Sequence, residues 1–294
     1  MATDWNARIR DLTSFTPARA AGEIAALTDE ALAGWYAHEL DEPEVEALRA
    51  LLVRIVGSGE GSARERTQVG VLLGYLGDPR LRMPEDADYW VRLTQGSGDS
   101  FDLGRFPVTN AEYRRWTEAG GYRDRAAWSD EGWAWLRTEP VPWPELAVRE
   151  EAADFVVPNQ PVVGVSWFEA EAFARAHGAR LPRWYERVFA VRGAEKRPYP
   201  WGDPFGEGHA NTKEEVLGRT VAVGLFVADV TPEGVHDLAG NAAEWTAEKA
   251  GEDYLLHPGS YEQPGLAAWA KALTSAAPSA RWSALGFRLA RDAG

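Results

Sequence analysis

The sequence predicts an α+β chain, with an all-helical lead-in over residues 1–84 and a mixed domain over residues 85–294. Three observations carry this. Apolar residues recur at helical spacing up to about residue 80, and after Pro84 they give way to short β-like runs separated by Trp, Gly and Pro loops. In addition, 14 tryptophans favour a core of aromatic corners and polar loops over one of long aliphatic helices.

The helices have start and stop signals. Asp41-Glu42-Pro43 places acids and a first-turn proline ahead of Val45, Leu48, Leu51, Leu52 and Ile55, which fall on one face before Gly57-Ser58-Gly59 ends the run. Ser62-Ala63-Arg64-Glu65 has the form of a capping box. Val69, Leu72, Leu73 and Leu76 follow it to a stop at Gly77-Asp78-Pro79. An earlier helix is expected from Thr28 or Asp29, carrying Leu32, Trp35, Tyr36 and Leu40. These segments make a small bundle or a HEAT-like pair with a structural role.

In the second region Tyr89–Leu93 and Phe101–Phe106 read as strands flanking a turn, and Thr109 or Asn110 caps a helix bearing Tyr113, Trp116 and Thr117. The long segment from Gly120 to Gln160, with Trp128, Trp133, Trp135 and Trp143, must be functional or pinned by its own side chains. Pro161–Trp167 reads as a buried strand, Ser166 as the cap of a helix from Phe168 to His177, and Arg180-Leu181-Pro182 as the approach to a further helix ending at Gly193. A short buried strand at Val221 leads through Pro232 and Gly234 to Gly240-Asn241-Ala242-Ala243-Glu244-Trp245. Leu285–Leu289 forms a terminal strand.

Composition narrows the function. A net charge of −14 disfavours nucleic acid and anionic membranes. The absence of cysteine removes disulfides, thiolate metal sites and cysteine catalysis, and suits a reducing cytosol. The opening MATDWNARIRDLTSF has no apolar signal core, so a cytoplasmic, bacterial-type protein is expected. His38, His177, His209, His236 and His257 show no ligand spacing, and Ser166 and Ser260 are explained by a helix cap and a turn. Asn241 and Glu244 bring an amide oxygen, backbone carbonyls and a carboxylate into four residues, the hard-oxygen supply that calcium prefers. The structural reading of the same residues is a turn cap at Asn241 and an arginine partner for Glu244.

One family unites these fragments. Pro107-Val108-Thr109-Asn110-Ala111-Glu112-Tyr113, Pro161–Trp167, Arg180-Leu181-Pro182, Arg192-Gly193, Tyr199-Pro200-Trp201-Gly202, Ala210-Asn211, Gly240–Thr246 and Gly286-Phe287-Arg288 occur in order. Over about residues 88–291 they resemble the formylglycine-generating enzyme, or sulfatase-modifying-factor, family. The resemblance implies a C-type-lectin-like fold of short antiparallel sheets, two or three helices and much irregular chain, with structural calcium at Asn241 and Glu244 and again near Asn211 and Thr212. Lys213-Glu214-Glu215 departs from the family pattern at the second of these.

The resemblance also restricts the chemistry. The family's oxidases use two cysteines in the segment after the motif matching Gly259-Ser260-Tyr261; here it reads Glu262-Gln263-Pro264-Gly265-Leu266-Ala267-Ala268-Trp269, so copper-dependent formylglycine formation is excluded. A sulfoxide-forming branch holds iron on histidines of an N-terminal domain, where this chain has only His38, so no copper or iron site is expected. A third branch binds without catalysis, in retroelement variable proteins and bacterial defence or signalling systems. Leu76-Gly77-Asp78-Pro79-Arg80 resembles the latter architectures, and the Asn-free, Ala-rich residues 260–294 weigh against active diversification. The family's groove would be lined here by Tyr261, Glu262, Trp269, Arg281, Trp282 and Arg288, with Trp128 and Trp133 from the long loop, facing a protein or peptide partner. The expected function is a non-catalytic ligand- or protein-binding pseudoenzyme. Two others compete with it: a cysteine-independent, metal-assisted oxidoreductase of peptide or natural-product maturation, and a substrate or regulator of a protease or signalling system. Oligomeric state is left open.

Overall fold

The computed structural model describes residues 5–36, 42–96, 98–138, 142–143 and 150–293. His38 and Leu40 lie outside the described residues, as do the side chains of Leu32, Trp35 and Tyr36.

Four helices open the chain: α1 (Trp5–Ser14), α2 (Pro17–Tyr36), α3 (Glu42–Ser58) and α4 (Ala63–Leu76). The second starts well before Thr28, because Pro17 serves as a first-turn residue and the Ala-rich stretch behind it has high helix propensity. The capping box at α4 forms, with Glu65 N donating to Ser62 Oγ at 3.2 Å and Ser62 N to Glu65 Oε2 at 2.9 Å.

The helical core does not close on itself. Leu48, Leu52, Ile55, Val69 and Leu73 pack with Val221, Leu225 and Phe226 from the second region. Full burial of Phe226 alone contributes about 1.5–3 kcal/mol to holding the two parts together. The expected strand at Val221 is an irregular segment instead: Val223 N donates to Asn159 O at 2.8 Å, and Asn159 Nδ2 reaches Gly70 O at 3.0 Å and Asp78 Oδ2 at 2.9 Å. This close approach requires small residues on α4. A Cβ at Gly74 would lie 2.5 Å from Asn159 Oδ1, and one at Gly70 2.8 Å from the Ala222 Cβ.

Two small sheets carry the rest. The first joins β1 (Trp90–Thr94) and β2 (Ser100–Gly104) to the C-terminal strand β7 (Ala290–Asp292) in antiparallel order. The second runs β5 (Thr274–Ala276), β4 (Asp253–His257), β3 (Ala243–Ala250), β6 (Leu285–Gly286), antiparallel except for the β3–β6 pair. Helices α5 (Asn110–Glu118), α6 (Asp130–Leu136), α7 (Trp167–Ala176) and α8 (Trp184–Arg192) surround them. Of the expected terminal strand over 285–289 only β6 forms, with β7 starting just beyond it, and Pro161–Trp167 is no strand, since Gly164 takes φ 73° and bonds elsewhere. Gly164 N donates to both Trp282 O and Leu285 O at 3.1 Å, while Val162 N goes to Val108 O at 2.8 Å.

The main core is aromatic. Tyr113, Trp116, Tyr122, Trp128, Trp143 and Phe173 form a connected set of ring contacts. Several buried indole N–H groups find a carbonyl: Trp128 bonds Gly121 O at 3.0 Å, Trp143 bonds Val163 O at 3.1 Å and Trp245 bonds Val165 O at 3.1 Å. The described part of the long loop is thus pinned by its own tryptophans. Trp128, expected on a binding groove, is a core residue.

Candidate functional site

At the centre of the domain, β3 delivers Glu244 between two buried guanidiniums. Arg187 Nε of α8 donates to Glu244 Oε2 at 2.9 Å, and Arg288 donates to Glu244 Oε1 through Nε at 3.1 Å and Nη2 at 2.8 Å. Arg288 also donates to Gly104 O at 2.9 Å and His236 O at 2.7 Å, and Arg187 to Leu238 O at 2.6 Å. Burial raises the Glu244 pKa, but the charges of Arg288 and Arg187 outweigh it and hold the carboxyl below its ordinary value. Two expectations change here. Arg288 lies in the core rather than on a groove, and Glu244 has the arginine arrangement rather than a free carboxylate for calcium.

The amides nearby are occupied too. Asn241, at φ 70°, pairs with the Val221 backbone: its Oδ1 accepts from Val221 N at 2.9 Å and its Nδ2 donates to Val221 O at 3.1 Å. The same Oδ1 accepts from Asn211 Nδ2 at 3.2 Å, and Thr212 Oγ1 donates to Glu214 Oε2 at 2.7 Å. Asn211 Oδ1 is buried without a hydrogen-bond partner. Of the four residues expected to hold calcium, Asn211 and Asn241 are in contact, Thr212 is bonded to Glu214, and Glu244 is engaged by the two arginines. No group of three or more His, Asp or Glu that could hold a metal ion occurs among the described residues.

Beside this centre, on the β3–β4–β5 sheet, lies an open cleft of about 360 Å³. Ala243, Leu256 and Ala284 give it an apolar floor, and Pro258 and Trp282 line it as well. Ser260, Glu262, Gln263 and Thr274 supply its polar groups. Glu262 Oε1 accepts from Ser283 Oγ at 3.0 Å and from Tyr261 Oη at 3.2 Å. Burial pushes the Tyr261 phenol up to about 12, so it remains a hydrogen-bond donor.

The stretch of chain from Leu266 to Trp282, which gives the cleft Ala267, Thr274 and Trp282, is unusually apolar at its surface. Seven large hydrophobic side chains stand exposed among the described residues, and four come from this one segment: Leu266 at 83%, Trp269 at 41%, Leu273 at 47% and Trp282 at 46%. Trp269 is held in place from behind. His257 donates from Nε2 to Trp269 O at 3.0 Å while its Nδ1 accepts from Gly259 N at 3.2 Å, and burial keeps the ring neutral by lowering its pKa far below the ordinary value. Both nitrogens being used, His257 is a strut rather than a base.

The eight groove residues expected from the sequence separate accordingly. Glu262 and Trp282 line the cleft, Trp269 is exposed but is not among the residues lining it, and Tyr261 donates to Glu262. Arg281 is drawn away to Glu169, bonding it at 3.0 and 2.8 Å, and covers the Trp135 ring. Trp133 packs partly buried against the aromatic core, and Trp128 and Arg288 are inside. Leu266 and Leu273 were not anticipated. The signal was present: two leucines in a Pro/Gly-flanked loop with no periodic apolar neighbour to bury them.

Comparison with known proteins agrees with this architecture. Residues 82–293 match the sulfatase-modifying factor enzyme 1-like domain. Hercynine oxygenase of Mycolicibacterium thermoresistibile is 39% identical over 160 residues, 50% of this chain and 35% of that protein, so the chain spans only about a third of that relative's length. The inactive C-alpha-formylglycine-generating enzyme 2 of Mus musculus is 30% identical over 236 residues, 66% of this chain and 76% of that protein. Among solved structures, PvdO from Pseudomonas aeruginosa shares the fold with a TM-score of 0.50 at 24% identity, over 67% of this chain and 82% of that one. No helix among the described residues is long and apolar enough to cross a membrane. With a match reaching from the last turn before β1 to the end of β7, the chain belongs to the sulfatase-modifying factor, or formylglycine-generating enzyme-like, family.

Proposed function

We propose that this protein is a binding member of its family, which seats an apolar side chain of a partner protein or peptide in the cleft between Leu256 and Trp282. The observation that carries the reading is the cleft's apolar floor with the half-exposed Trp282 beside it, in a stretch of chain that also leaves Leu266, Trp269 and Leu273 exposed. An apolar hollow rimmed by polar groups is a common form of interaction site, and Trp anchors dominate interface energetics. Covering one such side chain contributes about 1.5–3 kcal/mol. Much of the frame is rigid before binding, through the β-strands and the His257 strut, which limits the ordering cost of association. Glu262, the sole charged one among the described residues that line the cleft, and the net charge of −14 favour a partner with a basic group next to its apolar anchor.

The chain has no thiol for the family's cysteine chemistry. A second reading, an oxidoreductase using the same cleft, draws on the 39% identity to hercynine oxygenase; under it Glu262 and Trp282 would orient the substrate. Panning a random peptide library on the intact protein separates the two. The binding reading expects an enriched pattern of an apolar residue beside Lys or Arg; no enrichment, with dioxygen consumption on offered thiol or amine substrates, would favour the oxidoreductase.

A further inference from the structure

A second hollow, of about 230 Å³, lies between the first turns of α4 and the turn at 213–219, lined by Arg64, Thr67, Gln68, Asp154, Val216 and Arg219. A wider groove of about 590 Å³ shares Arg64 and Gln68 and extends to Ala25 and Thr28 of α2. It belongs to neither the cleft nor the ionic centre.

Its donors outnumber its acceptors. Arg64 is exposed, with no ion pair or hydrogen bond from its guanidinium among the described residues, and Gln68 sits one turn further along the same helix face. Arg219 pairs through Nη1 with Asp154, but its Nε is buried without a partner. The remaining acids are committed: Glu65 Oε2 accepts from Ser62 N at 2.9 Å and Oγ at 2.7 Å, and Glu215 Oε1 accepts from Gly208 N at 2.5 Å. The N-terminal end of the α4 dipole adds positive potential.

The opposite wall is held in a strained form. Val216 is a β-branched residue at φ 54°, ψ 30°, a left-handed conformation that such side chains avoid, yet it is 81% exposed. The turn that imposes this is braced on several sides. Lys213 N donates to Gln263 O at 2.9 Å, Gly265 N to Glu214 Oε1 at 2.9 Å and Asn211 Nδ2 to Arg219 O at 3.0 Å, while Leu217 packs on the helical core. Strain that survives because its surroundings impose it is a mark of ligand-clamping segments.

We infer that this hollow binds an oxyanion, the phosphate or carboxylate group of a small ligand, on Arg64, Gln68 and Arg219, with Val216 as an apolar lip against the ligand's body. Arg64 provides a charge-assisted bond, and Asp154 competes with the ligand for the partly exposed Arg219 guanidinium. The hollow takes one such group and a few carbon atoms, and the adjoining groove leaves room for more.

Calorimetric titration of the intact protein with inorganic phosphate and with succinate, at ionic strength matched with sodium chloride, tests this. Saturable binding of either is expected, and the preferred one identifies the ligand group. Arg64→Gln should weaken binding by at least about tenfold, the loss of one charge-assisted hydrogen bond, with an unchanged melting temperature because Arg64 is exposed. Asp154→Asn should tighten binding by freeing Arg219. No saturable binding beyond the chloride control, an unaffected Arg64→Gln variant, or weaker binding by Asp154→Asn would each overturn the inference.

Discussion

Replacing Glu244 by Gln removes the single negative charge held between Arg187 and Arg288. The carboxylate accepts three hydrogen bonds, at 2.9, 3.1 and 2.8 Å, from side chains that are essentially without solvent. Glutamine keeps one acceptor oxygen and turns its own N–H groups toward a guanidinium, so one arginine loses its partner and both lose their counter-charge. Breaking a buried ion pair in this way costs about 3–5 kcal/mol. The buried Asp229 and Asp237 carboxyls nearby, and the backbone carbonyls already bonded to both arginines, place this case near the lower end. The expected loss is about 3 kcal/mol, read as a shift in the urea midpoint of tryptophan fluorescence. Arg187→Met should also destabilise, and the double variant should lose less than the sum, because the two changes remove one shared interaction. A loss below about 1 kcal/mol for Glu244→Gln, the range of an exposed pair, would refute the argument that this centre organises the domain.

Three further outcomes follow from local geometry. Gly74→Ala should destabilise by about 1–3 kcal/mol through overpacking against Asn159 and Val157, whereas Gly57→Ala in α3, whose added Cβ meets nothing within 4 Å, should stabilise by up to about 1 kcal/mol; thermal melts of the pair decide. Burial, reinforced by the charges of Arg105, Arg288 and Arg80, lowers the His236 pKa from 6.5 to about 4. Its contribution to stability is therefore complete above 6.5 and is lost as pH falls toward 4, so His236→Phe should flatten the stability–pH slope in that window; an unchanged slope would contradict it. Val216→Gly should not destabilise despite glycine's entropic disadvantage, because it relieves the left-handed strain, and a clear drop in melting temperature would show that the isopropyl group packs on something.

Much of the fold was legible where signals are local. The capping box at Ser62, the caps at Thr109 and Ser166, and the hairpin of β1 and β2 all depend on residues a few positions apart, and all form. Expectations failed where one backbone segment serves several distant partners. Val162 and Gly164 read as a strand because they are apolar and buried, yet their N–H groups go to Val108, Trp282 and Leu285. Val221 to Phe226 likewise fill the helical core from far along the chain, which no periodicity in residues 1–84 could announce. In the site, Trp282 and Glu262 were recoverable from position, but the fate of the arginines was not. Arg281 and Arg288 look alike in sequence; each finds a buried carboxylate, Glu169 or Glu244, more than a hundred or about forty residues away, and so neither reaches the cleft.

The most direct test of the cleft as a recognition site is the affinity of a library-selected peptide for the intact protein and for its Trp282→Ala variant, measured by calorimetry. Trp282 is half exposed, so its truncation should leave the unfolding midpoint in place. The account predicts binding weakened by at least about tenfold, the contribution of one aromatic anchor. Equal affinity for the two proteins would place recognition elsewhere and contradict it.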